Sequence, residues 1–310
     1  CSDVYGWTPL HTAVYNGYLE MVKIMIKRNA PVNVKNNNGE TPLHLAAKKG
    51  FTTVTQFLLE NGAMTCIKDF EGRTPLHVAV HEGHLAIVKL LLNVNNILET
   101  TDQEGKTPFI IAVCENKLHV AQFLLTKGAK IDSLQYIYTP LLIAIGNSNL
   151  EIATLIINSG ASPDLESENG LSPLFAATYM GNIHIVEMLI KAGAKINIKS
   201  KDGWTPLHVA IYKKYYDIMK ILLSKEADVN LKSKNGTTAL HISVLHDDKS
   251  IIKYLLKNNV NIDDSDEDGF TCLHLSAQYG YVEVTGLLLD NNCDATKINK
   301  DGFTPLHIAV

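Results

Sequence analysis

Long apolar runs are missing from this chain of 310 residues. No stretch reaches the roughly 18 uninterrupted apolar residues of a membrane-spanning helix. The most apolar region, 139–158, is broken by Pro140, Gly146, Asn147, Asn149 and Glu151, so membrane insertion by this segment is not expected. Excess charge of one sign is missing too: 28 basic residues stand against 32 acidic ones, a formal net charge of −4. That balance gives no electrostatic footprint for nucleic acid. The lysine pairs 48–49 and 213–214 and the lysines at 199, 201, 232 and 234 are diluted by Asp and Glu and lack interleaved aromatics. Cysteine is sparse, at positions 1, 66, 114, 272 and 293, with no CxxC and no zinc-site spacing. Reduced thiols in an intracellular, cytoplasmic protein are expected. No nucleophile–base arrangement, GxGxxG or phosphate loop stands out. No catalytic activity, no metal and no cofactor are therefore expected.

What the chain has is a beat. Thr-Pro-Leu-His or a variant of it starts at Thr8, Thr41, Thr74, Thr107, Thr139, Ser172, Thr205, Thr238, Thr271 and Thr304, every 33 residues except for one step of 32. A fixed period of this size predicts a solenoid in which each unit buries its apolar face only against its neighbours. One unit shows the logic. Thr74 can cap a helix whose first turn takes Pro75, because the missing N–H would be unpaired there anyway. Leu76, Val78, Ala79 and Val80 fill that short helix, and Gly83 ends it in the left-handed conformation. A second helix follows with Leu85, Ile87, Val88, Leu90, Leu91 and Leu92 at helical spacing, and then the polar turn Asp102-Gln-Glu-Gly105.

With DxxGxTPLHxAxxxG and then LLxxGA recurring along essentially the whole length, the sequence resembles the ankyrin repeats. The resemblance implies an all-α solenoid of stacked antiparallel helix pairs with short β-hairpin fingers. Fingers and first helices would form a concave face that binds another protein, with the chain a monomer. Repeats are expected to start near 3, 36, 69, 102, 134, 167, 200, 233, 266 and 299, as one array over 1–310. The chain begins inside a repeat at Cys1 and stops at Val310 midway through an expected helix, so a piece of a longer array is expected. Such arrays also accompany channel pores, kinases and the latrotoxins, so an activity outside this segment, or a purely mechanical spacer, stays open as an alternative.

Histidine invites a metal reading, above all His77-Val-Ala-Val-His81-Glu-Gly-His84. However, seven of the twelve histidines (11, 44, 77, 208, 241, 274 and 307) fill the TPLH slot. There the resemblance implies a bond to neighbouring loop backbone, and HExxH spacing is lacking. Asn230, with Leu222 and Asp228 before it, is similar to the context in which ankyrin loops are hydroxylated on asparagine; a plain loop role is the other reading.

The departures from the pattern carry the expectations about strength and binding. The glycine after the first helix is replaced by Asn116, Ser148, Lys214 and Asp247, and the finger at 133–138 is one residue short and lacks its glycine. The middle of the array should be locally weaker. In the slots that the resemblance assigns to partner contact stand two apolar ladders, Tyr138, Leu171, Trp204 and Tyr179, Tyr212, Leu245. Met180 and Phe270 extend them, and these eight residues are the expected partner-binding set. The charged slots of repeats two to four would form a polar flank.

Overall fold

The computed structural model describes residues 2–95, 97–132 and 138–310. It divides into two compact units, Cys1–Ala161 and Ser162–Val310. Among the described residues each repeat contributes a first helix and a second helix, as in Pro75–Glu82 and Leu85–Val94, and the last repeat contributes Pro305–Ala309 alone. Within each unit the first helix packs on the second helix of its own repeat and on the first helices of the adjacent repeats. Each unit is therefore a solenoid of stacked antiparallel helix pairs.

The threonine cap works harder than the sequence suggests. The Thr74 hydroxyl bonds His77 Nδ1 at 2.7 Å while the same Nδ1 accepts the Thr74 backbone N–H at 3.1 Å. Histidine at the third helical position thus takes the part that Glu or Gln plays in a capping box. The arrangement repeats at Thr8, Thr41, Thr205, Thr238, Thr271 and Thr304. In repeats four to six, where Ile110, Leu142 and Phe175 replace the histidine, the cap keeps only its hydroxyl bond.

Close packing of the first helices rests on a column of small residues. Ala46, Ala79, Ala112 and Ala144 in the first unit, and Ala177 and Ala210 in the second, have no exposed surface. Ser243 and Ser276 continue the column and satisfy their hydroxyls on the Leu240 and Leu273 carbonyls, at 2.7 and 3.1 Å. The second helices bury one stripe each, for example Ile87, Val88 and Leu91.

Gly50, Gly83 and Gly181 end their helices at φ 79, 87 and 73°. Asn116, Ser148, Lys214 and Asp247 hold the same left-handed slot at φ 55, 54, 59 and 50°. The replacements keep the geometry and carry its steric cost, about 1 kcal/mol at Ser148 and Lys214.

The described fingers are short chain reversals built almost without strand. Among the described residues no strand forms, and a single bridge joins Ser265 and Thr271. The reason is length: each described finger is one tight turn, such as Asn36 to Glu40, in which Asn36 N–H donates to the Glu40 carbonyl at 2.9 Å. Its remaining backbone bonds go sideways. Asn37, Phe70 and Gln103 in the first unit donate to the Tyr5, Asn38 and Glu71 carbonyls of the preceding finger. Lys234, Glu267 and Lys300 in the second donate to Asp202, Asn235 and Asp268. The short finger falls largely on residues 133–137, which lie outside the described residues, as does Cys1.

Candidate protein-binding surface

Side chains also tie the loops together. In the first unit Asn33 Oδ1 accepts the Met64 N–H at 2.9 Å, and Glu99 Oε1 the Lys130 N–H at 3.0 Å. In the second, Asp164, Asn197, Asn230 and Asp263 accept from Lys195, Asp228, Asn261 and Asp294. Asn230 also donates to the Asn259 carbonyl at 3.2 Å. Lysines form a parallel set: Lys35 to Lys68, Lys68 to Thr101, Lys199 to Lys232 and Lys232 to Ser265, each ammonium on a backbone carbonyl. Sequence reading missed both sets, although their 33-residue recurrence was visible.

The TPLH histidines lie where the resemblance implied. Their Nε2 atoms reach the next finger, His11 to Glu40, His44 to Arg73, His241 to Phe270 and His274 to Phe303, or the loop just before it, His77 to Thr100, at 3.0–3.2 Å. With Nδ1 accepting from threonine, Nε2 must carry the proton and the ring is neutral. Burial agrees, holding His11, His44 and His241 below the usual imidazole range and His77 and His208 down to about 4. His208 makes no Nε2 bond of normal geometry. Among the described residues no group of three His, Cys, Asp or Glu is placed to hold a metal ion. His81 instead sits beside Glu82 and Glu115, at 3.6 and 3.8 Å.

In the second unit Tyr179, Met180, Tyr212 and Leu245 are 52, 48, 49 and 42% exposed. The structure brings several of the expected residues together. Trp204 meets Tyr212 edge-on, ring centres 5.5 Å apart, and Tyr212 meets His246 at 5.3 Å. The Lys213 ammonium lies 4.4 Å from the centre of the Tyr179 ring. Leu171, Trp204 and Phe270 are half-buried; Trp204 and Phe270 lean on the histidines of their own repeats, His208 and His274. Tyr138 belongs to the first unit and is exposed there.

The slots of repeats two to four in the first unit are filled by ion pairs. Arg73 binds Asp69 and Glu71 at 2.9 and 3.0 Å, Lys106 binds Glu104 at 2.6 Å, and Lys48 approaches Glu40 at 3.6 Å. The exposed pairs among them, Arg73–Glu71 and Lys106–Glu104, contribute about 1 kcal/mol or less each, whereas the Asp69 and Glu40 carboxylates are buried; together they make that stretch polar.

A helix-pair solenoid with caps, turn glycines and inter-repeat histidines at this period defines a class of repeat proteins. A family model described as ankyrin repeats (3 copies) matches residues 1–69, 64–135, 141–233, 225–299 and 264–310. The chain belongs to the ankyrin-repeat family. Among solved structures it is similar to the human ASB11 ankyrin repeat domain, at 27% identity and a TM-score of 0.63, over 72% of this chain and 99% of that one. No curated protein matches the sequence. Ankyrin repeats are a general protein–protein interaction module, and no helix among the described residues is long and apolar enough to cross a membrane.

Proposed function

We propose that residues 1–310 work as one non-catalytic ankyrin array, a monomer that binds another protein on its finger and first-helix face. The observation that carries this reading is the exposed row of Tyr179, Met180, Tyr212 and Leu245 on three consecutive repeats, with Trp204 set edge-on against Tyr212. The core does not need these groups, since the second helices and the TPLH leucines already fill it. A contiguous exposed apolar patch marks an interaction site, and aromatic side chains anchor most interfaces. Leu171 and Phe270 border the row, and Tyr138 fills the matching slot in the first unit.

The test is substitution of Trp204 and Tyr179 by Ala in the full-length protein, with Arg73→Ala as control and the proteins captured by wild type as readout. The proposal expects capture to fall by about tenfold or more with the aromatic changes and to persist with the control. Persistence with the aromatic changes and loss with Arg73→Ala would move the site to the first unit. No effect of any change on a folded protein would remove this face as the binding surface.

A further inference from the structure

Fingers six and seven are the described neighbours that fail to close on each other. In the second unit Lys234, Glu267 and Lys300 each donate a backbone N–H to the preceding finger, to Asp202, Asn235 and Asp268. The equivalent Lys201 N–H makes no such bond to the Asn169 carbonyl. The turn glycines report the same spacing. A Cβ placed on Gly203, Gly236 or Gly269 would meet backbone of the next finger at 2.7–2.9 Å, whereas on Gly170 it would first meet the Lys201 side chain at 3.3 Å. The histidine tie is missing at the same place. Phe175 stands in its slot and is half-exposed, where His208, His241 and His274 are at most 1% exposed. What opens is a pocket of about 290 Å³ whose apolar side is Leu171, Phe175 and Trp204. Asn169, Gly170, Ser200, Lys201 and Asp202 form its rim.

The chemistry of the rim constrains the occupant. A backbone donor at Lys201 and a backbone acceptor at Asn169, paired in the other fingers, are left to bond something else. Unpaired main-chain groups of this kind suit the main chain of an extended segment. The apolar side suits one large side chain, and its volume excludes a folded element. Lys201 on the rim and Lys213 over Tyr179 form no ion pair among the described residues. The carboxylates nearest in sequence on the same fingers and helix ends are Glu166, Glu168, Asp202 and Asp247, with Glu166 near Gly170 and Asp202 on the rim. Lys213 is held over Tyr179, fixed at the edge of the exposed row. The aromatic ring both orients that ammonium and leaves its remaining donors free.

We propose that the cleft between fingers six and seven receives an extended segment of a partner protein. The segment inserts one large aromatic or aliphatic side chain between Leu171, Phe175 and Trp204. It carries a carboxylate beside that anchor for Lys201 or Lys213, and pairs its backbone with the Lys201 N–H and the Asn169 carbonyl. The inference rests on the binding face proposed above and adds where the anchor sits and what it is.

Random 12-residue peptides displayed on phage and selected on the full chain test it. Enriched sequences are expected to share an aromatic or large aliphatic residue with Asp or Glu within about two positions. Binding of a synthetic consensus peptide should weaken about tenfold with Trp204→Ala and about as much with Phe175→His, which restores the inter-finger histidine. Lys201→Glu, on an exposed side chain, should weaken it without touching the fold. Peptides that are lost with Tyr179→Ala but bind Phe175→His and Lys201→Glu as well as wild type would overturn the cleft and leave the face intact. Peptides lacking acidic residues would overturn the assigned chemistry. Failure to enrich, or binding indifferent to all four changes, would overturn both the cleft and the face.

Discussion

His77 donates through Nε2 to the Thr100 carbonyl at 3.0 Å while its Nδ1 accepts from Thr74 at 3.1 Å. The Nδ1 bond needs the neutral ring, since a second proton would take the lone pair that accepts from Thr74, so protonation breaks the cap. Burial lowers the affinity of these rings for protons on folding, to a pKa of about 4 at His77 and His208 and downward at His11, His44 and His241. The unfolded chain, with histidine near 6.5, binds protons that the native state excludes. Stability is fully present above about pH 6.5 and falls as pH drops towards 4, by about 1.4 kcal/mol per pH unit for each fully shifted ring. Urea midpoints at pH 7.5 and pH 5 should differ clearly, a window in which ordinary carboxylates stay ionised. Equal midpoints would refute the coupling.

The array should open unevenly. Ile110 and Leu142 remove the histidine tie from repeats four and five, and Asn116 and Ser148 replace their glycines. Repeat stability is a sum of local and neighbour terms, so amides in repeats four and five should exchange before those in repeats two and three. Within the fingers of the second unit, the Lys201 amide should exchange faster than those of Lys234, Glu267 and Lys300, which are bonded. Uniform protection would count against both statements.

Lys214 sits at φ 59° with a Cβ that the left-handed region disfavours, and Ser148 does so at 54°. Replacing either by Gly should raise stability by about 1 kcal/mol, whereas Asn116→Gly should change little because Asn tolerates that region. Thermal melts of the three variants decide it; a gain at Asn116 equal to that at Lys214 would contradict the strain argument.

The thiols should stay reduced and react in order of exposure. Cys66, Cys114, Cys272 and Cys293 are free, with Cys66 exposed and Cys272 buried. Burial pushes the Cys272 thiol well up from its ordinary value, and Cys114 and Cys293 upward. A thiol reagent at pH 8 should label Cys66 first and Cys272 only on unfolding. An intramolecular bridge in a non-reducing mass spectrum would refute the expectation.

Local chemistry was enough for the repeat and its helices. Thr before Pro suits a helix start, Gly83 can end one at little cost, and an apolar stripe such as Ile87, Val88, Leu91 has a single inward direction. The structural role of the TPLH histidines was legible through the family resemblance, and the weakened slots at Asn116, Ser148, Lys214 and Asp247 through the missing glycines. The fingers were legible as short chain reversals, but not that their five residues spend backbone bonds on the neighbouring finger rather than on a ladder of their own. The exposed row was half-legible. Register placed Tyr179, Tyr212 and Leu245 on one face, but only packing decided that Trp204 and Phe270 lean back on their own histidines while Tyr179 and Met180 stand out. The cleft beside Phe175 was not legible at all. Its signal, a phenylalanine for a histidine, also occurs in other apolar forms at Ile110 and Leu142, which are buried. Whether two fingers then close or part depends on backbone contacts between residues about 32 positions apart, and a one-dimensional pattern records which residues recur, not how far apart their main chains settle.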